Sequence, residues 1–138
     1  VVAFSKAADL IEEELQLRKE KYNNFKNILI EQFRVANIDF HINGHQKDVL
    51  AHVFNVTFPG TDVESFLINL DMAGVLVSSG SACTAGSIDP SHVLVAMFGQ
   101  DASELRSSIR FSFGLGLTDE LVRTAGKRTA EIVKRLTT

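Results

Sequence analysis

The sequence predicts an α+β fold, in which helices cover one side of a small, mostly antiparallel sheet and a long helix comes first. Three observations predict this fold. Apolar residues recur every three, four or seven positions over about the first 34 residues, which is the spacing of one helix face. Later segments are rich in strand-forming residues, and one of them alternates apolar with polar positions. Helical segments separate these strands without internal repeats, so the elements should pack as layers.

Composition places the chain among ordinary globular domains. Its 138 residues are 45% hydrophobic and 22% charged, which is enough to bury a core. The net charge of -3 gives no sign of the basic surface that nucleic acid or an anionic membrane usually demands. The sequence contains neither a signal-peptide pattern nor an apolar run of roughly 18 residues. We therefore expect a cytoplasmic protein, or a mitochondrial matrix protein in a eukaryote, that binds neither nucleic acid nor membrane.

The first predicted element is an amphipathic helix from Phe4 to about Arg34. A coiled-coil seam would have the same spacing, but the alanine and aromatic positions favour packing against another domain. We predict that residues 1–34 are a connector helix from a large domain and that residues 35–138 form a small carboxy-terminal domain. The chain begins without methionine and directly in the helical pattern, so we expect it to be cut from a longer protein.

A hairpin should follow the long helix. Phe40 and Ile42 alternate with polar neighbours and lead into Asn43-Gly44, a pair that suits a tight turn. The run from Val49 to Phe58 is apolar on both faces, which predicts a central strand. His52 is expected to pack within that strand.

One helix and a short strand are predicted next. Thr61 and Glu64 form a capping box, which should open a helix that ends near Ala73 before Gly74. The short strand should cover Val75 to Val77.

The last part of the chain begins with Asp89-Pro90, which predicts the start of a short helix up to Phe98. Ser107 to Phe113 alternates, so this strand should have one apolar and one polar face. Thr118 is the predicted N-cap of the final helix.

The single cysteine, Cys83, lies in a loop of small residues at positions 78–87. The neighbours of interest in this loop are Ser79, Gly80, Ser81, Ala82 and Thr84. A structural cysteine normally lies inside an apolar element, so this position favours an accessible and reactive thiol. The alternative is an ordinary Gly/Ser connection that happens to contain a cysteine. One cysteine can form no internal disulfide, and a free thiol suits a reducing compartment.

Arg110 is the second candidate site residue, because it lies on the polar face of an otherwise apolar strand. A rigid strand could direct its planar guanidinium to a carboxylate and bind it through two hydrogen bonds. The alternative is a surface or ion-paired arginine, which the residues alone favour.

No metal site is expected. His41 and His45 are four residues apart, but Asn43-Gly44 turns the chain between them. His92 should lie near the start of the short helix, where it could influence the thiol or simply face solvent.

Several segments together carry a resemblance to a known family. The loop SSGSACTAGS at 78–87 is followed by DPSHVL at 89–94 and by SSIRFSFG at 107–114. In this order they resemble the active-site region of cysteine desulfurases of the NifS/IscS type, within the class V aminotransferase superfamily. The segment NVTF at 55–58 and the long first helix extend the resemblance over essentially the whole chain.

The resemblance implies the carboxy-terminal domain of a fold-type I transferase, which is homodimeric and depends on pyridoxal phosphate. In this family the cysteine matching Cys83 attacks the sulfur of cofactor-bound L-cysteine, which yields alanine and an enzyme persulfide. The arginine that matches Arg110 holds the substrate carboxylate. The SSGSAC form of the loop is similar to the class that passes sulfur to iron-sulfur scaffold proteins and to carriers for tRNA thiolation.

The resemblance also implies what the chain lacks. The family's cofactor-binding lysine lies in the large domain, and no lysine of this chain matches its motif. We therefore expect no cofactor-binding residue, no bound pyridoxal phosphate and no turnover from this chain alone. Two alternatives stay open. One is a class V aminotransferase or selenocysteine lyase relative, and the other is a stand-alone sulfur-carrier or dimerisation module.

Overall fold

The computed structural model describes residues 1–45, 48–80 and 90–138. In chain order its elements are α1 (Val2–Val35), β1 (His41–Ile42), β2 (Val53–Thr57), α2 (Val63–Met72), α3 (His92–Phe98), a 3₁₀ helix (Ser103–Arg106), β3 (Ser108–Ser112) and α4 (Asp119–Thr137). None of the helices among these residues combines the length and the apolarity that crossing a membrane requires.

The three strands form one antiparallel sheet in the order β1-β2-β3. His41 pairs with Thr57 between the first two strands, and Phe54 pairs with Phe111 between the last two. The central position of β2 and the antiparallel pairing are therefore confirmed, as is the predicted α+β fold.

The core lies between one face of this sheet and the helices α1, α2 and α4. Phe33 of α1 packs edge-on against Phe58 at the end of β2, with ring centroids 5.2 Å apart. Phe58 in turn packs edge-on against Phe66 of α2 at 5.4 Å. All three rings are fully buried, and Ile109 of β3 is buried with them. Edge-to-face contacts of this kind add to the stabilisation that burial provides, because the positive ring edge faces the negative ring face.

The long helix α1 is buried only in its second half. Its buried residues all lie between positions 25 and 33, where it packs against the core. Large apolar side chains in its first half are exposed, namely Val2, Phe4, Leu10, Ile11, Leu15 and Leu17. The long amphipathic helix is thus confirmed, but this chain covers only part of its apolar stripe.

The start of α2 differs from the predicted capping box. Asp62, not Thr61, is the N-cap, and its Oδ1 accepts a hydrogen bond from the backbone N–H of Ser65 at 3.1 Å. The hydroxyl of Thr61 instead donates to the carbonyl of Phe58 at 2.7 Å. Aspartate and threonine are both good N-caps, and the turn after β2 engages the threonine first.

Two predicted strand segments are also corrected. Residues 49–52 are not part of β2, because the chain there forms a turn in which the N–H of Val53 donates to the carbonyl of Leu50. His52 is consequently exposed rather than packed within the strand. Val75 to Val77 is no strand either, since the pairing with β3 is limited to a single bridge between Ser78 and Arg110.

Gly126 marks a close contact between α4 and α1, and it leads to a stability prediction. A Cβ built at Gly126 would lie 2.9 Å from Cγ of Gln32 and 3.3 Å from Cδ2 of Leu29. We expect Gly126→Val to destabilise the fold by about 2–3 kcal/mol, because overpacking outweighs the better helix propensity of valine. Urea denaturation measures the change. Gly114→Val is the matched control, since a Cβ at Gly114 meets no atom within 4 Å. Equal midpoints for the two variants would contradict the prediction.

Candidate functional site

The sheet face opposite the core is polar and places side chains from four chain segments in one row. The backbone N–H of Asn43 donates to the carbonyl of Asn55 at 3.0 Å, and Asn55 pairs directly with Arg110. Arg110 in turn forms the bridge with Ser78. A parallel row contains His41, Thr57 and Ser108. The predicted polar side of the strand that carries Arg110 is therefore confirmed.

Arg110 is held firmly by its backbone. Its N–H donates to the carbonyl of Ser78 at 2.7 Å, and its carbonyl accepts from the N–H of Ser78 at 3.1 Å. Its half-buried guanidinium donates from Nη1 to the carbonyl of Gly80 at 3.4 Å. The ion pairs among the described residues do not include Arg110. The guanidinium therefore keeps donors that a carboxylate from outside these residues could accept.

The structure describes some of the other predicted site residues and not the rest. Ser79 and Gly80 are described, and Gly80 has a positive φ of 58°. Cys83 and its neighbours Ser81, Ala82 and Thr84 lie outside the described residues. The structure thus brings Arg110 against the chain at Gly80, three residues before Cys83.

A network of polar side chains supports this face, and its members were not among the predicted site residues. The Asn43 Nδ2 donates to Asn55 Oδ1 at 2.7 Å and to Thr57 Oγ1 at 2.8 Å. Thr57 Oγ1 lies 2.8 Å from Ser108 Oγ, which itself donates to the carbonyl of Glu104 at 2.5 Å. Thr57 and Ser108 are each only 2% exposed, so this end of the network is shielded from water.

A sequence signal for this network did exist. Phe54, Asn55, Val56, Thr57 and Phe58 alternate apolar and polar, as a strand with one wet face should. The apolar residues at 49–53 hide this alternation, because together with the strand they make both faces look apolar.

A pyridoxal-phosphate site would need a lysine for the cofactor aldehyde and an acidic group for the pyridine nitrogen. Burial lowers the pKa of Lys26, a change often found in lysines of that kind. However, the Lys26 Nζ donates to the carbonyl of Leu50 at 3.0 Å. The cavity beside it is lined by asparagines, lysines, one histidine and apolar residues, with no carboxylate among its described lining residues. This cavity therefore does not fit the cofactor.

The histidines are dispersed. His41 pairs with Thr57 in the sheet, whereas His45 contacts Asp48 with Nδ1 and Oδ2 3.5 Å apart. His92 is exposed in the first turn of α3, as predicted for a solvent-facing residue. Across residues 1–45, 48–80 and 90–138, no three histidine, cysteine or acidic side chains come together as metal ligands.

An apolar cavity of about 310 Å³ lies between residues 74–77 and α4, and its chemistry differs from that of the polar face. Among the described residues that line it, Arg128 is the one charged side chain, and it donates to the carbonyl of Ala73 at 2.6 Å and so closes the end of α2. A charged amino-acid ligand would lose its hydration there without gaining partners. The polar face around Arg110 is therefore the better candidate site.

Comparisons with known proteins identify the family of the chain. The family model described as aminotransferase class-V matches residues 1–124. A protein of Bacillus subtilis (strain 168) named "Putative cysteine desulfurase IscS 1" is 55% identical over 99% of this chain and 36% of its own length. The cysteine desulfurase of Trichormus azollae is 36% identical over 99% of this chain and 34% of its own length.

Solved structures resemble the chain as well. A NifS-like protein from Rickettsia africae superposes with a TM-score of 0.76 at 25% identity, over 95% of this chain and 33% of that one. The chain spans about a third of the length of these relatives. The family model covers most of the 138 residues, and the fold agrees with it. The chain therefore belongs to the class V aminotransferase family.

Proposed function

We propose that the chain is the carboxy-terminal part of a pyridoxal-phosphate-dependent cysteine desulfurase, which converts L-cysteine to L-alanine and leaves a persulfide on Cys83. The observation that carries the proposal is the contact between the Arg110 guanidinium and the carbonyl of Gly80, three residues before Cys83. It puts a carboxylate-binding group beside the segment that leads to the only thiol of the chain. Similarity to cysteine desulfurases supports the same chemistry.

In the proposed reaction Cys83 is the nucleophile. Its thiolate attacks the sulfur of the substrate, so that a new S–S bond forms and the C–S bond of L-cysteine breaks. The electron pair of that bond stays on the substrate carbon, which takes up a proton and becomes the methyl group of alanine. Thiolates are strong nucleophiles near neutral pH, and serine or threonine hydroxyls are not.

Arg110 is the proposed anchor for the substrate carboxylate. Two parallel N–H···O bonds from a guanidinium fix both the position and the orientation of a carboxylate. Because both backbone groups of Arg110 bond to Ser78, the side chain starts from a rigid base. A carboxylate held in this way would leave the substrate sulfur free to meet the thiol.

The remainder of the longer protein would hold the cofactor, which acts as a temporary sink for the electron pair. We place the boundary between a connector helix, residues 1–34, and a small domain, residues 35–138. The exposed apolar side chains in the first half of α1 support this connector role, since such a surface favours packing against another domain. On this account the chain alone binds no pyridoxal phosphate and does not turn over.

The proposed product is a sulfur atom ready for transfer. We propose that an iron-sulfur scaffold protein or a carrier for tRNA thiolation accepts it. The working form would be a homodimer of the longer protein in the cytoplasm, where Cys83 can stay reduced, or in the mitochondrial matrix of a eukaryote.

The test is a product assay on the longer protein. With L-cysteine and a reducing thiol, it should release sulfide and alanine in equal amounts. Transamination without sulfide would support the class V aminotransferase alternative instead. Release of selenide from selenocysteine, without sulfide from cysteine, would support a selenocysteine lyase.

A further inference from the structure

Asn55 lies directly opposite Arg110 in the sheet. The two residues pair directly between β2 and β3. Both backbone groups of Arg110 bond to Ser78, on the other side of β3 from Asn55. Asn55 and Arg110 therefore form a non-hydrogen-bonded antiparallel pair, in which side chains on one face approach most closely.

The amide oxygen of Asn55 accepts a hydrogen bond from Asn43, which is unusual for an asparagine next to an arginine. A guanidinium has donors and no acceptor, so an adjacent asparagine would normally turn its amide oxygen toward it. Here Asn43 donates to that oxygen from the opposite side, with Nδ2 and Oδ1 2.7 Å apart. The Nδ2 group of Asn55, with its two N–H donors, is consequently left for the Arg110 side of the row.

Buried hydroxyl groups hold the Asn43 amide beside Asn55. Ser108 Oγ donates to the carbonyl of Glu104 and accepts from Asn43 Nδ2 at 3.1 Å. Thr57 Oγ1 lies 2.8 Å from Nδ2 and 3.0 Å from Oδ1 of the same amide. Because Thr57 and Ser108 are both buried, these bonds fix Asn43 in place next to the Asn55 amide.

We propose that Asn55 is a second substrate-binding residue, whose Nδ2 donates a hydrogen bond to the carboxylate that Arg110 holds, and that Asn43 is its positioning residue. This inference rests on the proposed function. The Arg110 guanidinium and the Asn55 Nδ2 group both offer only donors, so together they suit a carboxylate, whose two oxygens are acceptors. The amide is neutral and adds a hydrogen bond without adding charge. Asn55 would thus contribute to the recognition of L-cysteine through its carboxylate.

Kinetics of the longer protein tests the proposal. Asn55→Ala should raise KM for L-cysteine about tenfold, as expected for one lost hydrogen bond to a charged group, with kcat changed less than about twofold. The inhibition constant of L-alanine should rise in parallel, because alanine presents the same carboxylate. Asn55→Asp should raise KM about 100-fold, because the new carboxylate would pair with Arg110 and repel the substrate.

The matched control is Ser112→Ala. Ser112 lies on the same face of β3, two residues from Arg110, and is exposed. It should leave KM and kcat unchanged. Thermal melting of each variant shows whether the fold survives, and rising KM with an unchanged melting temperature supports binding rather than folding.

A double-mutant cycle separates positioning from general structure. Asn43→Ala should raise KM several-fold in the wild-type background and have almost no effect in the Asn55→Ala background, because Asn43 acts through Asn55. Equal effects in both backgrounds would overturn the positioning role.

Arg110→Ala distinguishes this proposal from the function on which it rests. If Arg110→Ala raises KM and Asn55→Asp does not, the assignment of Asn55 is wrong and the desulfurase proposal stands. If neither substitution changes KM, the carboxylate is held elsewhere and the roles proposed for Arg110 and Asn55 both fail, whereas the desulfurase function itself fails only if the longer protein releases no sulfide from L-cysteine.

Discussion

Replacing Cys83 with serine in the longer protein is expected to lower the rate of sulfide release by about three orders of magnitude or more. The change replaces the polarizable sulfur with oxygen and nearly preserves the size of the side chain. A serine hydroxyl is almost entirely protonated at neutral pH and is a poor nucleophile toward sulfur, so no persulfide can form. Sulfide release in the presence of a reducing thiol is the measurement.

A second variant makes this result specific to the position. All cysteines except Cys83 are replaced by serine, and this variant should retain most of the activity. L-Alanine should bind the Cys83→Ser protein as tightly as the wild type, since the proposed carboxylate contacts do not involve the thiol. If sulfide release persists in Cys83→Ser, the role given to Cys83 is wrong.

Arg110→Ala should raise KM for L-cysteine by about 100-fold to 1,000-fold, because two hydrogen bonds to a charged group are lost. Arg110→Lys should recover only part of this loss. Lysine keeps the positive charge, but it has no planar fork to match the two oxygens of a carboxylate. Steady-state kinetics with L-cysteine measures both variants.

Two further observations keep the Arg110 prediction specific. The backbone bonds between Arg110 and Ser78 do not depend on the side chain, so the melting temperature should change little. Ser112→Ala serves again as the control on the same strand face. An Arg110→Lys variant with wild-type KM would contradict the proposed fork geometry and favour a simple charge effect.

Local patterns predicted those elements whose signals were unambiguous. The alternation around Arg110 predicted a strand with one polar face, and β3 has that form. Thr118 was predicted as the N-cap of the last helix, and its Oγ1 accepts from the N–H of Leu121 at 3.3 Å. In both cases the same residues satisfy the local rule and the packing of the whole domain.

The polar network could be predicted only with knowledge of the strand register. Asn55 and Thr57 lie in β2, Ser108 lies in β3 and Asn43 directly follows β1, so no single segment places them together. One residue of shift in β2 would turn its polar side chains to the other face. The spacing from Asn43-Gly44 suggested a tight hairpin, whereas β2 begins only at Val53. The row that contains Arg110 became apparent only from the pairing of the strands.

The length of the first helix could be predicted from the sequence, but not which parts of its apolar stripe are buried. Periodicity identifies an apolar stripe, and it does not identify what covers the stripe. Within this chain the stripe is buried from Phe25 to Phe33 and exposed before that. The segment that contains Cys83 allows no such comparison, since residues 81–89 lie outside the described part of the chain.

The most direct test of the central claim is mass spectrometry of the longer protein after brief exposure to L-cysteine without a reducing thiol. The account predicts one added sulfur on the peptide that contains Cys83, and loss of that sulfur when a reducing thiol is added. An unmodified Cys83 peptide while alanine accumulates, or the added sulfur on a different cysteine, would contradict the account.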